Sequence, residues 1–399
     1  MDLQQTGSEG AGVFRVFLAI MRRMQIGELT IVLPGGERHR QRGEAPGPAA
    51  EIRFHRPRVV RRFLLGGATG FAESYIDSDW SSPDLPRLLE LLALNEPAFA
   101  EAYYGKPWFR VLDRLRHALR PNTRRGSRRN IHAHYDLGNA FYRAWLDETM
   151  SYSAAIFEDA TIDLAEAQRR KLRRVAEQLA TRPGDHILEI GCGWGSFAEV
   201  AAKEYGARVT GITISRAQHE FAARRVFEQG LADRVQIRLC DYRDVTGRFD
   251  HVASIEMFEA VGERYWPVFF TKLREVLAAG GRTALQVITI HERNFESYRR
   301  APDFIQKYIF PGGMLPSRPI LRRLAQDHGF ALTDEHRFGA CYARTLAEWN
   351  RRFQAVWPSL RPHGFDERFK RIWEYYLAYC EAGFRTDNID VVQLSLARS

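Results

Sequence analysis

The chain has 399 residues, 45% of them hydrophobic and 27% charged, which excludes collagen-like, low-complexity and strongly disordered classes and leaves room for two or three packed units. Lys and Arg total 58 against 49 Asp and Glu, a net charge of +9 that favours polyanionic partners such as nucleic acid or an anionic lipid surface. Cys192, Cys240, Cys341 and Cys380 lie far apart with no histidine at zinc-ligand spacing, so no disulfide scaffold or metal site is expected. No run reaches the roughly 18 apolar residues of a membrane-spanning helix, and the expectation is a cytoplasmic protein whose membrane contact is peripheral, at the inner face.

Residues 1–12 are polar and Gly-rich and read as frayed. Val13, Phe17, Ile20 and Met24 then recur at helical spacing, and Glu28 to Leu33 followed by Pro34-Gly35-Gly36 reads as a strand entering a turn. Gly66-Gly67 and the run Gly70 to Trp80 suggest a tight turn beside an aromatic face, in a small α+β domain spanning 1–113. Residues 114–130 hold arginines at 114, 116, 120, 124, 125, 128 and 129, a basic linker that is either a solvated connector or a phosphate anchor. In the remainder, 131–399, apolar runs at His186 to Ile190, Arg208 to Ile214, Val235 to Cys240, His251 to Ile255, Thr283 to Ile290 and Ile389 to Leu396 alternate with helical segments, which predicts a mostly parallel sheet covered by helices.

The first of these strands ends in Gly191-Cys192-Gly193-Trp194-Gly195, with Glu189 ahead of it and a helix opening near Ser196. Such a turn lets a backbone approach a ligand at the carboxyl edge of a sheet. Its GxGxG spacing is one residue short of the dinucleotide fingerprint, and Thr213 and Ser215 stand where an acid would hold a ribose. The loop resembles motif I of class I methyltransferases.

Further runs occur in order: His134-Tyr-Asp-Leu-Gly-Asn139, Tyr152-Ser153, Gly211-Ile-Thr-Ile-Ser215 with Gln218, Asp241-Tyr-Arg-Asp244, Met257-Phe-Glu-Ala-Val-Gly262, Tyr308-Ile-Phe-Pro-Gly-Gly313, and Phe338-Gly339 with Tyr342. With them the sequence resembles the cyclopropane-fatty-acyl-phospholipid synthase and mycolic acid methyltransferase family. The resemblance implies an α/β class I methyltransferase fold, Rossmann-like, with a mostly parallel seven-stranded sheet and a small N-terminal α+β domain. It implies S-adenosylmethionine as cofactor, held by Tyr152 and Ser153, by Glu189 and the turn Gly191, Cys192, Gly193, Trp194 and Gly195, by Thr213, Ile214 and Gln218, and by Tyr242 with Arg243.

The acceptor it implies is a cis double bond of an unsaturated phospholipid at the membrane surface, with no nucleic acid as partner and a homo-oligomer as a further expectation. Methyl transfer to an alkene leaves a carbocation that must lose a proton, so no nucleophilic side chain is needed. The resemblance assigns the base to a bound bicarbonate, with Glu259, Tyr342, Gln286, Ile288 and Ala154 at the positions around it, and Cys380 as a further carry-over with no role in this chemistry. Ala154 stands where the family usually has Cys, Gln286 where it has His, and Ala260 where a His follows the Glu. If the proton leaves from another carbon, the product is methyl- or methylene-branched instead of cyclic. Glu259 is then the side chain expected to accept or relay it, given burial that raises its pKa. A methyltransferase acting on RNA or protein and a non-catalytic lipid-binding protein are the competing readings.

Overall fold

The computed structural model describes residues 6–103, 137–300 and 302–398; the basic stretch 114–130 and His134 to Asp136 of the first motif lie outside them. The chain divides into two compact units, one of residues 1–119, 300–309 and 357–386 and one of 120–299, 310–356 and 387–399. The division is thus not a single cut near residue 131, because two later segments join the first unit. Among the described residues no helix is long and apolar enough to cross a membrane.

In the first unit β1 (Ile26–Val32), β2 (Arg38–Arg42), β3 (Ala45–Phe54) and β4 (Trp80–Ser81) form a sheet ordered β2-β1-β3-β4. The turn expected at Pro34 to Gly36 is present, closed by the Gly36 N–H on the Leu33 carbonyl at 2.8 Å. The frayed start expected for residues 1–12 does not extend over the described part of it: a helix runs from Thr6 to Met21, seated by buried Phe14, Phe17 and Met21, with Phe17 edge-on to Phe54 at 5.0 Å. Gly66 and Gly67 do break the chain: Arg58–Ile76 is two helical segments joined across a kink where Gly67 takes φ +55° and ψ −143°, and beyond it Gly70 comes back so close to Arg62 that a Cβ on it would lie 2.2 Å from the Arg62 carbonyl oxygen. The aromatic face is as expected, with Phe71 stacked on Trp80 at 4.3 Å. The helix Glu367–Arg385 belongs to this unit, its Arg371 donating to the carbonyls of Tyr75 and Trp80 at 2.6 and 3.0 Å.

In the second unit β5 (His186–Ile190), β6 (Arg208–Thr213), β7 (Val235–Leu239), β8 (Phe249–Ile255), β9 (Leu277–Ile290), β10 (Phe330–Arg337) and β11 (Ile389–Arg398) form one sheet, in the order β10-β11-β9-β8-β5-β6-β7. The pairs from β9 to β7 are parallel and β11 is antiparallel to both neighbours. Central strands read as continuous apolar runs because both faces are covered. Leu172, Val175, Phe197 and Ala201 pack on one side, and Phe258, Phe269, Phe270 and Leu321 on the other. The chain builds outward from β5, through β6 and β7 on one side and through β8 and β9 on the other. The order therefore reverses between β5 and β8, and the glycine turn leaves β5 at that switch point, where open α/β sheets place ligands.

Candidate active site

The glycine turn needs its glycines for different reasons. Gly191 and Gly195 have φ of +82° and +86°, and a Cβ on them would lie 2.8 Å from Met257 Cγ and 3.2 Å from Ala222 Cβ. Gly193, at φ +52°, faces open space, with nothing within 4 Å of a Cβ placed there. The N–H groups of Gly191 and Cys192 both reach the Ile212 carbonyl, pinning the turn to β6 at 3.0 and 2.9 Å. The side chains between the glycines point inward: Cys192 is buried with its thiol pKa pushed up by desolvation, and the buried Trp194 indole donates to Asn139 Oδ1 at 2.9 Å. Among these five residues, Gly193 is where the turn is open.

At the end of β6, Thr213 Oγ1 donates to Gln218 Oε1 at 2.8 Å and accepts the Ser215 N–H at 3.1 Å, and Ser215 caps the helix Arg216–Glu228. Ile214 lies between the two hydroxyl residues. After β7, Tyr242 has a buried hydroxyl without a hydrogen-bond partner among the described residues, its pKa pushed up to about 12 by desolvation. Arg243 is spent locally: its Nε and Nη2 donate to the Asp241 carboxylate at 2.9 and 2.6 Å. The buried acid at the strand end, Asp241, was not singled out in the sequence, although the run Asp241-Tyr-Arg-Asp244 contains it.

The proton-handling residues meet across β8, β9 and two distant segments. Glu259, in a short 3-10 helix after β8, accepts the Ile288 N–H on Oε1 at 2.5 Å, and its buried Oε2 has no hydrogen-bond partner among the described residues. Desolvation, then the charge of Glu256, pushes the Glu259 pKa up to about 8. Ala154, Gln286 and Tyr342 gather elsewhere, around Glu256, the residue that sequence reasoning missed. Its Oε1 accepts the Ala154 N–H at 2.8 Å and Gln286 Nε2 at 2.7 Å, and its Oε2 accepts the Tyr342 hydroxyl at 2.7 Å. Glu256 follows β8 at φ +47°, outside the region favoured by L side chains. Burial raises its pKa, while the three donors and the charge of Lys171 oppose that rise.

A second missed residue is Lys171, 1% exposed, whose Nζ donates to Ser153 Oγ at 2.6 Å and lies in the field of Glu256, Asp147 and Glu189. Desolvation lowers its pKa to about 8. Glu189 is buried beside it at the end of β5, its Oε2 without a hydrogen-bond partner among the described residues, and desolvation pushes its pKa up to about 8. Tyr152 stands in an aromatic group with Trp145 and Trp349, ring centroids 5.7 and 5.2 Å away. Cys380 is not among the residues brought together; it lies on the helix Glu367–Arg385 of the first unit, its thiol pKa raised by desolvation. A signal for Glu256 exists in hindsight: two acids three residues apart follow directly on the strand Phe249–Ile255.

The open position at Gly193, the orphaned Glu189 oxygen and the acid at Asp241 fit a cofactor with an amino-acid portion and a ribose. With the strand order, they define a class I S-adenosylmethionine-dependent methyltransferase. The profile of the mycolic acid cyclopropane synthetase family matches residues 122–394, and the chain belongs to that family. It is 41% identical over 367 residues to a tuberculostearic acid methyltransferase of Mycobacterium tuberculosis, covering 89% of this chain and 85% of that one. It is 35% identical over 359 residues to the cyclopropane-fatty-acyl-phospholipid synthase of Escherichia coli, covering 89% of each. The crystal structure of a mycolic acid cyclopropane synthase complexed with SAH and CTAB superposes with a TM-score of 0.64 at 31% identity, over 70% of this chain and 100% of that one.

Proposed function

We propose that this methyltransferase acts on the cis double bond of an unsaturated phospholipid acyl chain at the inner membrane surface, giving a cyclopropane fatty acid. The observation that carries the reading is the buried pair Glu256 and Glu259, held among backbone N–H, amide and phenol donors with the Lys171 cation nearby. When bound, S-adenosylmethionine supplies an electrophilic methyl on a sulfonium. The glycine turn, Thr213 with Gln218 and the Asp241 region orient it. The alkene attacks that methyl, and the resulting acyl carbocation needs only a proton acceptor, which a desolvated carboxylate provides. A relative named a cyclopropane-fatty-acyl-phospholipid synthase supports the acceptor.

A methyl- or methylene-branched chain is the second reading. It is favoured by Glu256, which takes donors at three of the positions assigned to an anion and so offers a different place for the proton to leave. The test is incubation with methyl-labelled S-adenosylmethionine and vesicles of unsaturated phospholipid, followed by mass spectrometry of the released fatty acids. A mass gain of one methylene with loss of the double bond supports the cyclic product, and a retained double bond the methylene branch. Label found in protein or RNA, with none in lipid, overturns both.

A further inference from the structure

We propose that the carboxylate of Glu256 is the proton acceptor of the reaction and occupies the place of an external anion, so that this chain works without bicarbonate. The inference rests on the methyltransferase reading above, and its geometry is independent of it. Three donors from segments far apart in sequence converge on one carboxylate: the Ala154 N–H and Gln286 Nε2 at Oε1, and the Tyr342 hydroxyl at Oε2. Gln286 is itself fixed, its Oε1 accepting Gln393 Nε2 at 2.9 Å and its backbone carbonyl accepting the Glu256 N–H at 2.8 Å. The backbone at φ +47° brings the Glu256 side chain to these donors, at a strain that elsewhere would select glycine.

These donors are the groups at the positions that the family resemblance assigns to bicarbonate, and the side chain engages them already. Oε1 has both lone pairs used, whereas Oε2 accepts a single hydrogen bond among the described residues and keeps a lone pair for a proton. Glu259, by contrast, accepts the Ile288 N–H and sits in the field of Glu256, so its part is to hold Ile288 and the shape of the site.

The step balances on groups already named. The alkene π pair forms a carbon–carbon bond to the methyl as the sulfur–methyl bond breaks, its electrons staying on sulfur as the thioether. The carbocation at the second alkene carbon is quenched when a C–H bond of the transferred methyl breaks, its pair closing the ring and its proton going to Glu256 Oε2. Loss of a proton from a neighbouring chain carbon would use the same acceptor. The carboxylic acid then returns its proton to solvent.

The experiment compares the parent with Glu256→Gln and Glu256→Gly on unsaturated phospholipid vesicles, in carbon-dioxide-free buffer and with added bicarbonate. Binding of carbon-13-labelled bicarbonate is followed by NMR in parallel. The parent is expected to turn over equally in both buffers. Glu256→Gln, which keeps the shape, should lose at least about a hundredfold in turnover while cofactor affinity by calorimetry stays within about twofold. Glu256→Gly, suited to the backbone, should bind bicarbonate, which the parent does not, and should regain turnover on its addition. Strict bicarbonate dependence of the parent, or near-full activity of Glu256→Gln, overturns the proposal. Parent protein that methylates no lipid in either buffer overturns the acceptor reading alone. The bicarbonate-binding comparison still decides the site: labelled bicarbonate bound by the parent overturns it.

Discussion

Glu259 Oε1 lies 2.5 Å from the backbone nitrogen of Ile288, while the other oxygen of the same carboxyl is buried without a hydrogen-bond partner among the described residues. One oxygen is structural and the other is desolvated at a cost, and that asymmetry sets how the residue responds to pH and to substitution. In the native state its pKa is pushed up to about 8 from an ordinary value of 4.5. Below the ordinary value both folded and unfolded chains keep the proton. As pH rises from there to about 8 the unfolded chain releases it and the native chain does not, so this residue's contribution to stability falls across that window and is flat above it. Glu259→Gln removes the effect. The melting temperature of the variant relative to the parent should therefore climb between pH 5 and pH 8; a constant offset would show that the native carboxyl titrates normally.

Truncation at the same position tests the other oxygen. Glu259→Ala leaves the Ile288 N–H without its acceptor in a buried site, which costs about 1–3 kcal/mol on top of the lost packing. Chemical denaturation should show Glu259→Ala below Glu259→Gln by at least that amount, and equal stabilities would remove Glu259 from the support of β9.

Lys171 sets the charge balance around Glu256. A base must be ionised to accept a proton, so turnover should rise with pH as Glu256 loses its own. The groups facing Glu256 are Gln286, Tyr342, the Ala154 N–H, the Lys171 cation and the Glu259 carboxyl. Of these, only Lys171 favours the ionised form through net charge. In Lys171→Met the acid limb of the pH–rate profile should move to higher pH, by about one unit. An unmoved limb would place the lysine's influence elsewhere, at Ser153 or Glu189.

Gly193→Asp should lower S-adenosylmethionine affinity by at least about 100-fold, or ~2.7 kcal/mol. Aspartate tolerates a left-handed φ, and no protein atom lies within 4 Å of the new Cβ, so folding should be little affected and the loss falls on the ligand's space. Calorimetry on Gly193→Asp and Gly193→Ala checks this: normal affinity in the aspartate variant would move the cofactor away from the turn.

For the membrane surface, the arginines of the 114–130 stretch give a direct test. Neutralising Arg124, Arg125, Arg128 and Arg129 should weaken association with anionic vesicles by about 1 kcal/mol per residue. Unchanged sedimentation with vesicles at low salt would assign lipid contact to other parts of the chain.

The parallel core was legible because β5, β6 and β8 are buried on both faces and must read as short apolar runs between helices. Strand β10 was not: Phe-Ala-Leu-Thr-Asp-Glu-His-Arg lies at the sheet edge, where mostly exposed positions erase the pattern. The start of β9 was hidden for another reason, since Ala279-Gly280-Gly281 reads as a turn while the structure carries the strand through it from Leu277. In the site, Ala154, Gln286 and Tyr342 were visible as positions. What they hold was not, because the separations of 102, 30 and 86 residues to Glu256 exist only in the fold. Gly66 and Gly67 were legible as a break because the conformation at φ +55° and ψ −143° is open to glycine and to almost no other residue, and Gly67 takes it between the two helical segments.

The left-handed backbone at Glu256 also limits how this position can drift. Most replacements would inherit the strain without the donors that offset it, and the residue most at ease at φ +47° is glycine. In the genetic code each glutamate codon becomes a glycine codon by a change at its second base. A protein that carries its own base and one that leaves an anion-sized gap among the same three donors are therefore one nucleotide apart, and either can arise from the other without rebuilding the sheet.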